Sequence, residues 1–515
     1  MSKRMTNAPM EPNVAVAERR DTDPRKFKKP KPLSLPGSIL ESTPEEFASL
    51  RCTDDANGDR FAEHYGEKAK HSKTHGWLVY DGKCWKRDPK AARALAQGLP
   101  SIVRREVQTL CNSIDLQGND ALRKFEGFTA ALQKHAKYTG SSKGIDATLR
   151  EAAVKEGVMA DDIEFDSDVY LLNCSNCTID LRTGAAREHR SEDYITKLSP
   201  VKFNPDAQCP RWNKFLDEVF QGDNELIEYV NWLIGYSLTG SVEHQIFFVF
   251  HGQGQNGKGV LMRTIWNILG EDYAMEMNPE EIMVQHNPRH ETGLAALTGV
   301  RFVSISETDE GRRINAALVK KLSGGDRIRA RFMRQDGFEF DPQFKMCLAT
   351  NYRPVIQDDT FGMWRRIRLI PFDRTFDGSE KDSRLEITLR DELQGILAQA
   401  VKVARESHTE PFVPRRVKAA ISEYRAESDE LASFLEDCTV SLESAKTPKE
   451  DLFMAFHKYS VGNCEEKKTF NARLKQRGFI EVRTSLARCW QGIALKPECR
   501  AAQPPGAVLD ASSAA

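Results

Sequence analysis

Apolar residues recur along this chain in two rhythms, one of three to four residues and one of short unbroken runs. The first predicts amphipathic helices over residues 91–110, 119–137 and 146–156, and a helical stretch over 212–239 that carries Phe215, Val219, Ile227, Val230, Leu233 and Leu238. Aromatic-rich segments at 77–80 and 84–86 predict strands, with Asp81-Gly82 as the turn between them. A second small β unit is expected over 169–197, turning at 173–176 and at Thr183-Gly184. The unbroken runs at 246–250, 300–306 and 344–349 have the pattern of parallel strands buried on both faces. Towards the C-terminus, helices over 429–436, 449–459 and 469–477 and strands over 479–484 and 489–495 predict a three-helix module with a β wing.

Each unbroken run ends on polar residues. After 246–250 stand Gly252, Gly254, Asn256, Gly257, Lys258 and Gly259, the spacing G-x-x-x-x-G-K between a strand and a helix expected over 259–269. Glycines let such a loop turn its backbone N–H groups towards phosphate oxygens, the helix N-terminus adds a positive end, and Lys258 adds a point charge. The hydroxyl residue that usually follows the lysine and binds Mg2+ is Gly259 here. The second run ends on Glu307, Thr308, Asp309 and Glu310, with Glu307 placed to polarise water and Asp309 to help hold Mg2+ through water. The third ends at Asn351, a candidate contact to the γ-phosphate or the attacking water. Further on, Arg365 and Arg366 precede an apolar stretch, and one of them could reach the nucleotide of a neighbouring subunit.

Between the second and third runs the spacing predicts a helix over 315–322, bearing Lys321, followed by strict alternation. Arg327, Arg329 and Arg331 fall on one strand face, with Ile328, Ala330 and Phe332 on the other. Asp336-Gly337 offers the turn back, close to Arg334. Such a basic hairpin suits the backbone of a single DNA strand, although an edge strand guarded by charge has the same pattern. In the C-terminal module, Arg473, Lys475 and Arg477 lie on or near the third helix and are further DNA-contact candidates.

Composition narrows the classes without choosing among them. The chain has 515 residues, 40% hydrophobic and 29% charged, which fits several globular domains and excludes a collagenous or wholly disordered protein. Lys and Arg total 74 against 75 Asp and Glu, so a nucleic-acid site has to be a local patch. No apolar run approaches the roughly 18–20 residues of a membrane span, and the basic, polar start does not read as a secretory signal, so a reducing, cytoplasmic compartment and no membrane partner are expected. Eleven cysteines are scattered, and Cys174 with Cys177 lacks two further nearby ligands, so free thiols and no direct protein metal cluster are expected. The expected division is a disordered basic arm (1–45), an N-terminal α+β domain (46–205), a P-loop core with its helical lead-in (206–380), a helical connector (381–430), a winged-helix-like domain (431–498) and a disordered tail (499–515).

With these motifs in order, the chain resembles the phage/plasmid primase family, whose C-terminal part is a superfamily 3 helicase related to poxvirus-type nucleoside triphosphatases. The resemblance rests on the glycine-rich loop, Ser306-Glu307, Lys321 with Gly324-Gly325-Asp326, Ala330-Arg331, Thr350-Asn351, and Arg365-Arg366 running to Pro371-Phe372. It implies an α/β, AAA+-like ATPase core that forms a hexameric ring on single-stranded or forked DNA, with ATP and Mg2+ as cofactors and a separate primase or initiator as a possible partner. By resemblance Lys258 is the Walker A lysine, Glu307 the Walker B acid, Asn351 the sensor, and Arg365 or Arg366 the finger. The expected function is an ATP-dependent helicase that does not itself prime. The alternatives are an ATP-dependent initiator or switch without processive unwinding, and a non-catalytic winged-helix DNA-binding protein with a degenerate P-loop.

Overall fold

The computed structural model describes residues 43–113, 119–162, 165–284, 292–306, 311–331, 337–356, 361–460, 466–485 and 487–499. The chain forms two compact units. One comprises Met1–Ser72, Trp77–Val79 and Asp88–Ala160, and the other Lys73–Gly76, Tyr80–Arg87 and Asp161–Ala515. Strand β1 (Ala69–Ser72) and the middle of β2 (Gly76–Tyr80) belong to the first, and β3 (Trp85–Arg87) to the second.

The first unit is mostly helical. Its helices start where side-chain oxygens take orphan N–H groups: Thr53 accepts from Ala56, Asp88 from Ala91, and Ser141 from Gly144. The single helix expected over 91–110 is two, Pro89–Ala96 and Leu99–Ser113, because the chain turns at Gln97-Gly98 ahead of Pro100. The helix expected over 146–156 runs Ser142–Ala152, four residues earlier at each end, because Ser141 supplies the N-cap. Inside, Arg60 donates two hydrogen bonds of 2.6 Å to the Glu106 carboxylate, and Arg60 and His135 both donate to Asn57 Oδ1.

The second unit begins with an antiparallel meander, β4 (Leu171–Asn173), β5 (Thr178–Asp180) and β6 (Ala185–Arg187). By packing, the second compact unit takes in the chain from Asp161 onward, ahead of the boundary expected at 205. The physical reason is a shared core: Leu172, Ile179 and Leu181 pack in one cluster with Leu261, Ile265 and Ile268 of the helix that follows the glycine-rich loop. Arg301, itself buried, donates to the carbonyls of Leu171 and Leu238 and so ties the meander to the main sheet.

That sheet is built from β7 (Phe247–His251), β8 (Ala274–Met277), β9 (Phe302–Ser306), β12 (Lys345–Thr350) and β13 (Ile367–Pro371), in the order β13-β7-β12-β9-β8, every pair parallel. Alternate residues serve two cores. Phe248, Phe250 and Cys347 face the helices Pro210–Phe220, Asn224–Leu238 and Lys258–Tyr273, while Phe247, Val249, Val303 and Leu348 face the other side. Consecutive apolar residues are what a sheet covered on both faces requires. The stretch expected as one helical lead-in is two helices, because Gln221 and Gly222 both take left-handed backbone angles. Strands β10 (Ile328–Arg331) and β11 (Gly337–Phe340) form a separate antiparallel pair.

The C-terminal module has helices Glu430–Cys438, Lys449–Tyr459 and Lys467–Gln476 around Phe434, Phe456, Phe470 and Trp490. Its sheet, β14-β16-β15, consists of β14 (Thr439–Pro448), β15 (Ile480–Arg483) and β16 (Arg488–Leu495). No helix among the described residues is long and apolar enough to cross a membrane.

Candidate functional site

The glycine-rich loop leaves β7 at the carboxyl end of the parallel sheet, between two strands, β12 and β13, that come far later in sequence. A crevice outside such a reversal of strand order is where open α/β sheets bind ligands. Gly254, Gln255 and Gly257 all take positive φ, of 82°, 46° and 89°. A Cβ on Gly257 would stand 2.8 Å from Val219 Cγ2, and one on Gly252 would stand 2.3 Å from the Phe372 carbonyl oxygen. The loop is therefore glycine-rich for closeness at these two positions and for backbone hand at Gly254 and Gly257.

Lys258 opens the helix Lys258–Tyr273 and is buried. Its Nζ donates to the Gly252 carbonyl at 2.6 Å and to Asn256 Oδ1 and Asn351 Oδ1, both at 3.1 Å. The Asn256 side-chain amide in turn donates to the Phe372 carbonyl at 3.3 Å. Gly252, Asn256, Gly257, Lys258 and Asn351, from two stretches nearly a hundred residues apart, thus meet at one point. His251, just before the loop, is held below the ordinary imidazole pKa by burial and then by the charges of Arg353 and Lys258, which keeps it neutral beside the lysine.

A cavity of about 950 Å³ opens from this cluster. Cations Arg211, Lys214, Lys258, Arg263, Arg374 and Lys381 line it, against Glu218, Glu380, Asp382 and Glu386, so its wall carries an excess of positive charge suited to a phosphate-bearing ligand. Phe376 supplies an apolar ring, with the Arg374 guanidinium 4.5 Å from its centre. The described donor set does not complete a metal site at the expected place: Gly259 has no ligating atom on its side chain, and Arg263 stands over it.

The arginines after residue 364 lie elsewhere. Ile367 pairs with Phe247 and Pro371 with His251, so Arg365 and Arg366 sit at the amino end of β13, about 16 Å from the loop at the carboxyl end of β7. Both donate to Gln245 Oε1, Arg366 at 3.0 Å. Arg366 is buried and also bonds the Gly362 carbonyl, whereas Arg365 is exposed. Glu307, Asp309 and Arg334 lie outside the described residues.

On the hairpin, Ile328 and Ala330 are buried while Arg329 and Arg331 are exposed, as alternation predicts. Arg327 is exposed and pairs with Asp341 at 3.2 Å, and Lys321 is exposed at the end of its helix. In the C-terminal module, Arg473 and Arg477 both pair with Asp429, which also caps the helix Glu430–Cys438, and Lys475 pairs with Glu481 at 3.1 Å. Two of these three charges therefore hold the module together.

Residues 58–221 match the family model described as D5 N terminal like, and residues 250–366 match a family of unknown function, DUF5906. These two matches, together with viral relatives named as helicases and primases, are consistent with a D5-like primase–helicase family. The chain is 29% identical over 308 residues to a protein of Acanthamoeba polyphaga mimivirus named a candidate helicase, covering 55% of this chain and 32% of that one. Against a candidate helicase of Invertebrate iridescent virus 3 it is 24% identical, covering 62% and 37%. Against a candidate primase of African swine fever virus it is 26% identical, covering 39% and 22%. The chain spans about a third of the length of the first of these relatives. Among solved structures, the apo C-terminal region of NrS-1 is 13% identical with a TM-score of 0.37, covering 68% of this chain and 90% of that one.

Sequence reasoning missed Arg211, Arg263, Arg374, Phe376 and Gln245. Of these only Arg263 carried a readable signal, since it falls one helical turn after Gly259 and on the same face.

Proposed function

We propose that the chain is an ATP-dependent DNA helicase serving replication of a phage, prophage or plasmid element. The observation that carries this reading is the meeting of Lys258, Asn256 and Asn351 beneath a loop whose glycines are required by backbone hand and by space. In that cradle, backbone N–H groups and the helix N-terminus bind the triphosphate, and Lys258 exchanges its bonds to the loop carbonyl and the two asparagines for phosphate oxygens. Asn351, released by the lysine, orients the attacking water, and Glu307 polarises it. Where hydrolysis calls on Mg2+, Asp309 would support it through water.

The core reads as AAA+-like, and the position of Arg365 supports a ring. An exposed guanidinium some 16 Å from its own loop serves a nucleotide only if that nucleotide belongs to a neighbour. A head-to-tail contact of this kind closes into a ring, with a hexamer as the expected size. Arg329 and Arg331, with Lys321 and Arg334, contact the phosphates of a single strand, and the C-terminal module, read as a winged helix, adds contacts through Lys475. Arg327 contributes after giving up Asp341.

Strand displacement from a forked duplex tests the reading. Release of the labelled strand that requires hydrolysable ATP supports it. Hydrolysis stimulated by DNA without strand release would make the chain an initiator or switch instead.

A further inference from the structure

Gly259 occupies the position where a hydroxyl side chain would ordinarily ligate the metal of a bound nucleotide. The space that side chain would need is already taken. A Cβ at 259 would stand 3.0 Å from Arg263 Nη1, 3.5 Å from Nη2 and 3.6 Å from Cζ, so the guanidinium lies over the first turn of the helix. Spacing explains this, because residues four apart share a face of a helix and side chains lean towards its N-terminus. Glu386, from the helix Leu385–Asp391 across the cavity, holds the guanidinium from its outer side through Nη2. Arg263 and Gly259 both line the cavity with the loop.

We propose that Arg263 is a phosphate-binding residue that takes over at position 259 what a metal-ligating hydroxyl would do, so that the chain binds a nucleoside triphosphate without needing a divalent cation. The inference rests on the nucleotide-site reading. A guanidinium offers a planar fork of donors to two phosphate oxygens, and its fixed charge stands where the metal's would. Glycine at 259 is then the residue that makes room for the arginine. Glu386 positions the fork and surrenders it, in whole or in part, when phosphate arrives.

Titration calorimetry of a non-hydrolysable ATP analogue, in excess Mg2+ and again in excess EDTA, tests this without reference to turnover. The wild-type chain is expected to keep its affinity in EDTA within about tenfold of that in Mg2+. Arg263→Ala should lose about ten- to hundredfold in EDTA, the range of one or two charge-assisted hydrogen bonds, and less in Mg2+. Gly259→Ser, which displaces the guanidinium, should resemble Arg263→Ala in EDTA, and the pair Gly259→Ser with Arg263→Ala should bind in Mg2+ only. Arg263→Ala binding as tightly as wild type in EDTA would overturn the proposal, as would a wild type that binds only with Mg2+. Lys258→Ala separates the two levels. If it and the wild type alike fail to bind under both conditions, the nucleotide-site reading falls as well.

Discussion

Gly254 and Gly257 have nearly the same backbone hand and very different surroundings, so alanine at each position separates two physical costs. An L-residue in the left-handed region costs about 1–2 kcal/mol, and both variants incur that. At Gly254 nothing lies within 4 Å of the added Cβ. At Gly257 the Cβ would come within 2.8 Å of Val219 Cγ2 and 3.2 Å of Phe215 Cε2, both buried in the helix Pro210–Phe220. Forcing a methyl into a packed core costs about 1–3 kcal/mol, so Gly257→Ala should destabilise the second unit by about 2–5 kcal/mol against about 1–2 kcal/mol for Gly254→Ala. Guanidinium unfolding followed by tryptophan fluorescence reports on this core directly, since Trp212 lies in the same cluster as Val219. Affinity for ATP should fall further at 257 as well, because relief of the contact moves the first residue of the loop helix. Equal losses at the two positions, or a larger loss at 254, would refute the claim that the loop is glycine-rich for close packing at 257.

Two further predictions follow from burial and position. Arg365→Ala should leave stability within about 0.5 kcal/mol of wild type and nucleotide affinity unchanged while lowering ATP turnover by about 10³-fold or more, whereas Arg366→Ala should lower stability, as its guanidinium is buried on Gly362 and Gln245; equal turnover in Arg365→Ala and wild type, measured by phosphate release, would remove that residue from its role. Burial holds His75, His135 and His251 below their ordinary pKa of 6.5, so they are neutral in the native state while the unfolded chain takes up protons first as pH falls. The stability they contribute is complete above the unfolded pKa and is lost as pH drops below it, so Tm should fall between about pH 7 and about pH 5, and a constant or rising Tm over that range would contradict the assignment.

Much of the site was legible because its chemistry is local. The run Ile246 to Phe250 and the glycine spacing after it announce a buried strand and a tightly turned glycine-rich loop without any knowledge of neighbours. Asn351 was legible for the same reason, as a polar residue at the end of an apolar strand, and in the fold its side-chain oxygen accepts from Lys258. What stayed hidden depends on elements that meet only in the fold. Gln245 links Arg365 and Arg366 across 120 residues of chain, and Arg374 and Phe376 enter the cavity only because β13 lies beside β7. Strand β14 was missed because it is an edge strand exposed along most of its length, so its burial pattern has no period to read. Helix ends shifted where a cap outweighed periodicity, as at Ser141. The basic residues of the C-terminal module show the opposite failure: Arg473 and Arg477 look like a contact surface in sequence, yet in the fold both lie on Asp429.

The central claim is that a nucleotide bound beside Lys258 is hydrolysed to drive movement on DNA. Steady-state phosphate release with and without single-stranded DNA, for the wild type and for Lys258→Ala, tests it most directly. Turnover should rise strongly with single-stranded DNA in the wild type and be absent with or without DNA in the variant. Turnover in Lys258→Ala equal to wild type, or wild-type turnover indifferent to DNA, would contradict it.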